Sequence, residues 1–457
     1  MTFDTTIGGK SLKENPENII NNDPLEAIFA LNMGDFLTEH LISDDLLSKI
    51  NTSVHDKISR MKNQIQELIS IYSLDKTLTL LGFNSEEDFI IYNSIAKTIT
   101  QMLEIDACHI FLTNEYAKTL NRNSKYDLIL AGSSFDNSQE LISKTIGYNL
   151  YNEDNPAVEA FLKGESVYFK NIQDNKNWNP NPDLKENEVK TYLAVPMVNN
   201  SGEVGVLCLE NYEEKDILPE YVNLIEITAR LFVTSMNLQK LVEEAEQVIN
   251  DENASPIELR HLRTELTAII GDIGDEQQMF VESLATAVDA KGQYEKAHSQ
   301  KVAELAREIA EYLKLNEKTI DLIYYAGLLQ NIGKITLPEE IFNKKEKLSK
   351  EDWEKLQNHP NVGVNLLMKI NFLSEVIPYI HYHRERWNGE GEPEGLSGIS
   401  IPLGSRIIAV ADAYQAMTSA RPYREPISNE AALKILQEEA GIKWDPVIID
   451  ALIELKQ

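Results

Sequence analysis

Three apolar patterns succeed one another along the chain and divide it. From Leu47, apolar residues recur every three or four positions through Ile50, Val54, Ile58, Met61, Ile65, Leu68 and Tyr72, the spacing of a helix with one apolar stripe. Such a helix packs on its own domain or pairs with a copy of itself. Ahead of it, residues 1 to about 22 are polar and Asn-rich and are expected to be mobile. Asp23-Pro24 predicts an N-cap and first-turn proline for a short helix ending near Met33. From about Lys76 the pattern becomes mixed. Strands are predicted at Ala107 to Leu112, Asp127 to Ala131, Ser166 to Phe169, Thr191 to Val198 and Val204 to Glu210. Asn199-Asn200-Ser201-Gly202 reads as a hairpin turn between the last two.

The third pattern is helical to the end of the chain. Leu238, Leu241, Ala245 and Val248 step by three and four, and Asn250 to Ala254 interrupts them. Ser255-Pro256-Ile257-Glu258 then restarts a helix with a capping box, and Leu259, Leu262, Leu266, Ile269 and Ile273 keep heptad spacing. These stripes predict a parallel dimer with a signalling helix, or else an intramolecular packing face. Beyond about Asp275, Val302, Leu305, Ala306, Ile309 and Leu313 form an amphipathic face, while Leu322 to Ile332 and Ile407 to Met417 read as buried helices. The fold class is multidomain α+β. An N-terminal tail with helices (1–75) leads to an α/β domain (76–238), a coiled-coil-like connector (239–274) and an all-α bundle (275–457).

Composition narrows the function classes. A chain of 457 residues, 42% hydrophobic and 25% charged, is globular and long enough for several cores. Its net charge of −30 argues against general nucleic-acid binding, because phosphate is repelled. No apolar run reaches the roughly 18 residues of a membrane span, and Met1 to Ile20 lacks the apolar centre of a signal peptide. Cys108 and Cys208 sit in apolar strand-like runs, as reduced core residues of a cytoplasmic protein do.

Asn155 to Asn171, Thr191-Tyr-Leu-Ala-Val-Pro-Met-Val and Gly205-Val-Leu-Cys-Leu-Glu-Asn together resemble a GAF domain. The resemblance implies a sheet with helices on its faces, and either a small ligand or a dimer contact. No residue names the ligand. Cys108 and His109 are the positions that would suit haem or a bilin, but single Cys and His residues in apolar strands belong more often to the core.

Half of the eight histidines lie near the C-terminus. Their settings are His298-Ser-Gln-Lys-Val, Leu328-Leu-Gln-Asn-Ile-Gly-Lys-Ile, Asn358-His359-Pro360, His383-Arg-Glu-Arg-Trp-Asn-Gly-Glu-Gly-Glu-Pro, Val410-Ala-Asp412-Ala-Tyr and Thr418-Ser-Ala-Arg-Pro-Tyr-Arg424. In this order they resemble the HD-GYP family over nearly all of residues 280–457. The resemblance implies a phosphodiesterase fold for the bacterial messenger cyclic-di-GMP, with two or three iron or manganese ions. It places His298 and Asp412 at the first metal and His359 and His383 at the second. Gln330 and Asn331 then stand where the family has a His and a bridging Asp, Arg384 where it has a second His, and Glu392 in place of the Tyr of Gly-Tyr-Pro. Asn388 and Gln415 stand at further Asp positions. His381 lies two residues from His383, and on a helix such residues face apart.

Amides are far poorer metal ligands than imidazole or carboxylate, and Arg384 adds a fixed positive charge. The expectation is a bacterial signalling protein: a GAF sensor and dimerisation domain joined to a degenerate HD-GYP domain that acts by binding a protein partner or nucleotide. It leans away from an enzyme. No cofactor is expected, or at most one weakly bound iron or manganese ion. The alternative is a residual metal-dependent phosphodiesterase with an altered metal site. Lys334, Arg384, Arg421, Tyr423 and Arg424 are the candidate contacts for a cyclic dinucleotide, Lys334 as the vestige of a catalytic group; the arginines alternatively form surface ion pairs.

Overall fold

The computed structural model describes residues 6–7, 10–11, 52, 54–66, 88–117, 124–176, 178–199, 202–251, 254–291, 297–338, 341–342, 349–368, 370–419 and 425–456. The expected helix of residues 24–33 and the flanks of the one read from Leu47 to Tyr72 lie outside this set, as do Arg421, Tyr423 and Arg424. Two compact units emerge, one drawn from Met1–Ser73 and Asn237–Gly271, the other from Leu74–Met236 and Asp272–Gln457.

In the first unit, β1 (Thr6–Ile7) pairs with β2 (Lys10–Ser11), and residues 54–66 are helical. Met61 and Ile65 of that helix are buried, as are Leu238, Leu241, Ala245, Leu259, Leu262 and Leu266. Lys62 Nζ donates to the carbonyls of Ile249 (2.9 Å) and Asp251 (2.7 Å). Most of the residues read as a dimer seam are thus covered within one chain, with Val248 and Ile269 half-buried.

The second unit opens with a six-stranded antiparallel sheet. Its strands are β3 (Ala107–Thr113), β4 (Leu128–Ser133), β5 (Gly147–Tyr148), β6 (Val167–Phe169), β7 (Thr191–Asn199) and β8 (Gly202–Asn211), ordered β5-β4-β3-β8-β7-β6. Each expected strand forms within two residues of its predicted bounds, and the short edge strand β5 is additional. Residues 200 and 201 of the expected turn lie outside the description, but Asn199 pairs with Gly202, whose φ of 132° suits glycine. Helix α1 (Asp88–Leu103) lies on one face against β3 and β4, with short α2 (Ser138–Ser143) beyond β4. Helix α3 (Pro156–Lys163), capped by the Asn155 side chain, covers the other face and closes a core with Phe111, Leu130, Tyr192 and Cys208. Cys108 and Cys208 are free and buried, as expected.

Helices α4 (Pro219–Asn250) and α5 (Pro256–Lys291) follow, and the hydroxyl of Ser255 caps the second by accepting from Glu258 N at 3.2 Å. Asn223 Nδ2 meets Ser283 Oγ at 3.2 Å and Thr234 Oγ1 meets Glu276 Oε1 at 3.0 Å. Rising numbers on one helix meet falling numbers on the other, so the connector is an antiparallel hairpin. This is the intramolecular packing face that the spacing also allowed: a three-and-four spacing defines a stripe but not the direction of what packs on it.

The remainder is a helical bundle: α6 (His298–Tyr312), α7 (Glu317–Leu329), α8 (Lys350–Gln357), α9 (His359–Leu367), α10 (Ile377–His381), α11 (Leu403–Thr418), α12 (Asn429–Glu438) and α13 (Pro446–Lys456). Val302, Leu305, Ala306 and Ile309 bury the predicted face of α6, which packs against α7 and α11. A 3₁₀ turn, Ile332–Thr336, succeeds α7 and packs on α9. A Cβ at Gly333 would fall 1.8 Å from the His359 carbonyl, so only glycine permits this approach.

Candidate functional site

Six polar side chains from separate bundle elements lie near one another. His298 is the first residue of α6 and follows Ala297, held at a φ of 67°. Gln330 ends α7 and Asn331 starts the 3₁₀ turn; both are buried. His359 opens α9, His383 follows α10, and Asp412 sits in the middle of α11. Sequence separations of up to 114 residues close into two adjoining groups.

In the first group, Asp412 Oδ1 lies 3.2 Å from His298 Nε2 and 3.4 Å from Gln330 Nε2. Burial pushes the Asp412 carboxyl up, but the hydrogen bond and charge of His298, with Lys334 and His383, hold it well below the usual carboxylate range. In the second group, the rings of His359 and His383 stand 5.8 Å apart. Their Nδ1 atoms approach the carbonyls of Leu356 (2.7 Å) and Ile380 (2.6 Å). A carbonyl only accepts, so Nδ1 carries the proton and Nε2 is left bare. Burial, followed by the Lys334 charge, lowers His359 well below its ordinary value; burial lowers His383 to about 4. Both rings are neutral at pH 7.

Lys334 therefore acts on both groups. The Arg384 guanidinium donates to the Gln357 carbonyl at 3.4 Å, in a pocket of about 300 Å³ that Glu392, Asn358 and Asn361 also line. Nearby, the buried Glu385 side chain accepts from the amides of Glu394 (2.8 Å) and Gly395 (3.0 Å). Asn388 pairs with Glu390 at 2.8 Å within its loop, and Gln415 donates to the Lys301 carbonyl at 3.4 Å, tying α11 to α6.

The donor set decides how well the family's metals fit. Among the described residues, no three His, Cys, Asp or Glu side chains converge as a metal cluster. The Gln330 amide directs its N–H groups at Asp412, and its Oε1 is buried without a hydrogen-bond partner. These residues do not fit a bridged metal pair. The His359 and His383 Nε2 atoms retain the presentation of metal-ligating imidazoles, whose Nδ1–H is turned to a backbone acceptor.

Several structured residues had no sequence signal. Asp289 takes the amide (2.8 Å) and hydroxyl (2.7 Å) of Ser299, beside His298. Lys291 binds the Ile335 carbonyl next to Lys334. In the sheet domain, Glu186 and Glu210 are buried; Glu186 accepts from Tyr148 Oη and Asn181 N. His109 lies 3.1 Å from Ser133 Oγ and 3.7 Å from Glu210. No periodicity marks a lone acidic residue in a loop as buried.

The sheet domain and the bundle now place the chain in a class. The GAF domain family matches residues 90–235 and the HD domain family matches residues 282–448. The chain is a GAF–HD protein, and its curated relatives are cyclic-di-GMP and cGAMP phosphodiesterases of the HD-GYP type. It is 38% identical to the 3'3'-cGAMP-specific phosphodiesterase 1 of Vibrio cholerae over 40% of this chain and 43% of that protein. It is 32% identical to the cyclic di-GMP phosphodiesterase response regulator RpfG of Xanthomonas campestris over 52% of this chain and 61% of that protein. The chain thus spans about half the length of the curated relatives it matches. Among solved structures, a cyclic GMP-AMP specific phosphodiesterase of V. cholerae aligns over 38% of this chain and 47% of its own, at 22% identity and a TM-score of 0.32. No helix among the described residues is long and apolar enough to cross a membrane.

Proposed function

We propose that this chain is a cytoplasmic signalling protein whose GAF domain senses a small ligand and whose HD domain binds a cyclic dinucleotide or a protein partner without hydrolysing it. The observation that carries this reading is the pairing of Asp412 with His298 and with the Gln330 amide. Two side chains at family ligand positions pair directly, and the residue that replaces a third donates to the same carboxylate oxygen. Asn331, in place of the bridging carboxylate, removes a negative charge from between two cations, and Arg384 adds a positive one; both disfavour metal. Lys334 and Arg384 supply phosphate-binding charge that needs no metal. The relatives named above act on cyclic di-GMP and cGAMP, which makes a cyclic dinucleotide the ligand class to test first. A homodimer through the connector would use the part of the stripes left half-exposed, at Val248 and Ile269.

A second reading is favoured by one observation. His359 and His383 keep bare Nε2 atoms in the orientation of metal ligands, which suits a residual phosphodiesterase with one altered metal site. Metal analysis of anaerobically purified protein, with cyclic-di-GMP turnover in added manganese or iron, separates the two. Less than one tightly bound metal per chain and no turnover are expected. Two metals per chain, or robust turnover abolished by His298→Ala, would sink the binding-only reading. The combined Gln330→His, Asn331→Asp and Arg384→His variant is expected to gain metal, with little activity while Glu392 remains.

A further inference from the structure

We propose that Lys291 is a positioning residue that couples the GAF domain to the HD-domain site. Its side chain is 6% exposed. A buried ammonium is rarely tolerated unless it is paired and hydrogen-bonded, and the two partners of this one belong to different domains. Nζ donates to Glu104 Oε2 at 3.0 Å and to the Ile335 carbonyl. Glu104 stands in the turn between α1 and β3 of the GAF domain, at a φ of 51°. Its own carbonyl is held at 2.9 Å by Lys215, just after β8. A change in the sheet domain that moves either α1 or the end of β8 therefore moves the Glu104 carboxylate.

Ile335 lies in the 3₁₀ turn that follows Gln330 and Asn331 and carries Lys334, and that turn is seated on the start of α9 at Gly333. Two residues before Lys291, Asp289 clasps the amide and hydroxyl of Ser299, next to His298. The last turn of α5 thus grips both sides of the site, the His298 side through Asp289 and the Lys334 side through Lys291. Glu104 is the more exposed partner, with 41% of its side chain accessible. The GAF end of this link is accordingly the end that yields. Withdrawing Glu104 leaves the buried ammonium with the Ile335 carbonyl alone, and the turn bearing Lys334 must shift or loosen to resolvate it. The coupling is mechanical and holds whether the HD domain binds, hydrolyses or does neither.

Amide hydrogen exchange on the full chain, read by mass spectrometry without nucleotide or metal, tests this. Glu104→Gln is expected to speed exchange in residues 332–337 by roughly fivefold, leaving β3, β7 and β8 unchanged. Lys291→Met should do the same or more. The double variant should equal Lys291→Met alone, because Glu104 acts only through Lys291. Unchanged exchange in residues 332–337 with Glu104→Gln, or additive effects in the double variant, would overturn the proposal. Should Lys291→Met not fold, Glu104→Lys replaces it in the test. Repulsion must then raise exchange in residues 332–337 beyond the Glu104→Gln level, and a result at or below that level also overturns the proposal.

Discussion

Glu186 in the GAF domain and Asp412 in the HD domain are both carboxylates set among ring side chains, yet they are driven in opposite directions. Burial pushes Glu186 up to about 8, and the charge that adds most to this is another carboxylate, Glu210. Asp412 is opposed by burial as well, but His298 and Lys334 outweigh it and keep the group ionised. Glu186 has Glu210 as its most influential charge, while Asp412 has His298 and Lys334. The placement of cations decides the outcome in a chain whose net charge of −30 would suggest acidity everywhere. Glu186 accordingly holds a proton at neutral pH, while Asp412 does not.

The largest expected effect falls on Glu186. Between about pH 4.5 and pH 8 the folded chain holds a proton on Glu186 that the unfolded chain has released. Stability is therefore full below pH 4.5 and declines as pH rises through this window. Glu186→Gln mimics the neutral acid and should remove the decline, raising stability at pH 8 by roughly 3 kcal/mol. Urea unfolding at pH 5 and pH 8 measures it; an unchanged slope means that Glu186 is ionised in the folded chain.

Asp412→Asn should act in the opposite sense. Its depressed carboxyl contributes stability at every pH above its ordinary value of 3.8, which is lost as pH falls toward the folded value. With 37% of the Asp412 side chain exposed, water screens the pair, and at pH 7 the variant should lose about 1 kcal/mol. A variant as stable as the unaltered chain would show that His298 and Gln330 bond each other equally well without the carboxylate. An effect of similar size concerns His383, lowered to about 4. Between pH 6.5 and about 4 the unfolded chain binds a proton that the folded one refuses, so stability falls as pH drops. Asn supplies an N–H to the Ile380 carbonyl but does not titrate. His383→Asn should recover roughly 1 kcal/mol of the acid loss at pH 5 relative to pH 7. If acid unfolding begins at the same pH in both proteins, another group controls it.

Much of the fold was legible from local signals. Apolar runs marked the strands around Cys108 and Cys208, Ser255-Pro256 marked the start of α5, and the spacing of Val302 to Ile309 marked the buried face of α6. The site was legible because motifs around His298, Gln330, His359, His383 and Asp412 occur in order. The direction of the connector was not legible, since Leu262 and Leu266 have the same spacing whether the facing helix runs up or down. Nor was the burial of Glu186, a residue in a polar loop.

The amides of Gln330 and Asn331 and the charge of Arg384 could be read from the sequence, because chemical identity is local. Only the tertiary structure decided what those groups meet. It set Gln330 against Asp412, left Glu186 beside Glu210, and placed Lys291 between Glu104 and Ile335. Each of these pairings joins segments far apart along the chain or across domains. Their energies depend on distance and burial, which no local spacing encodes.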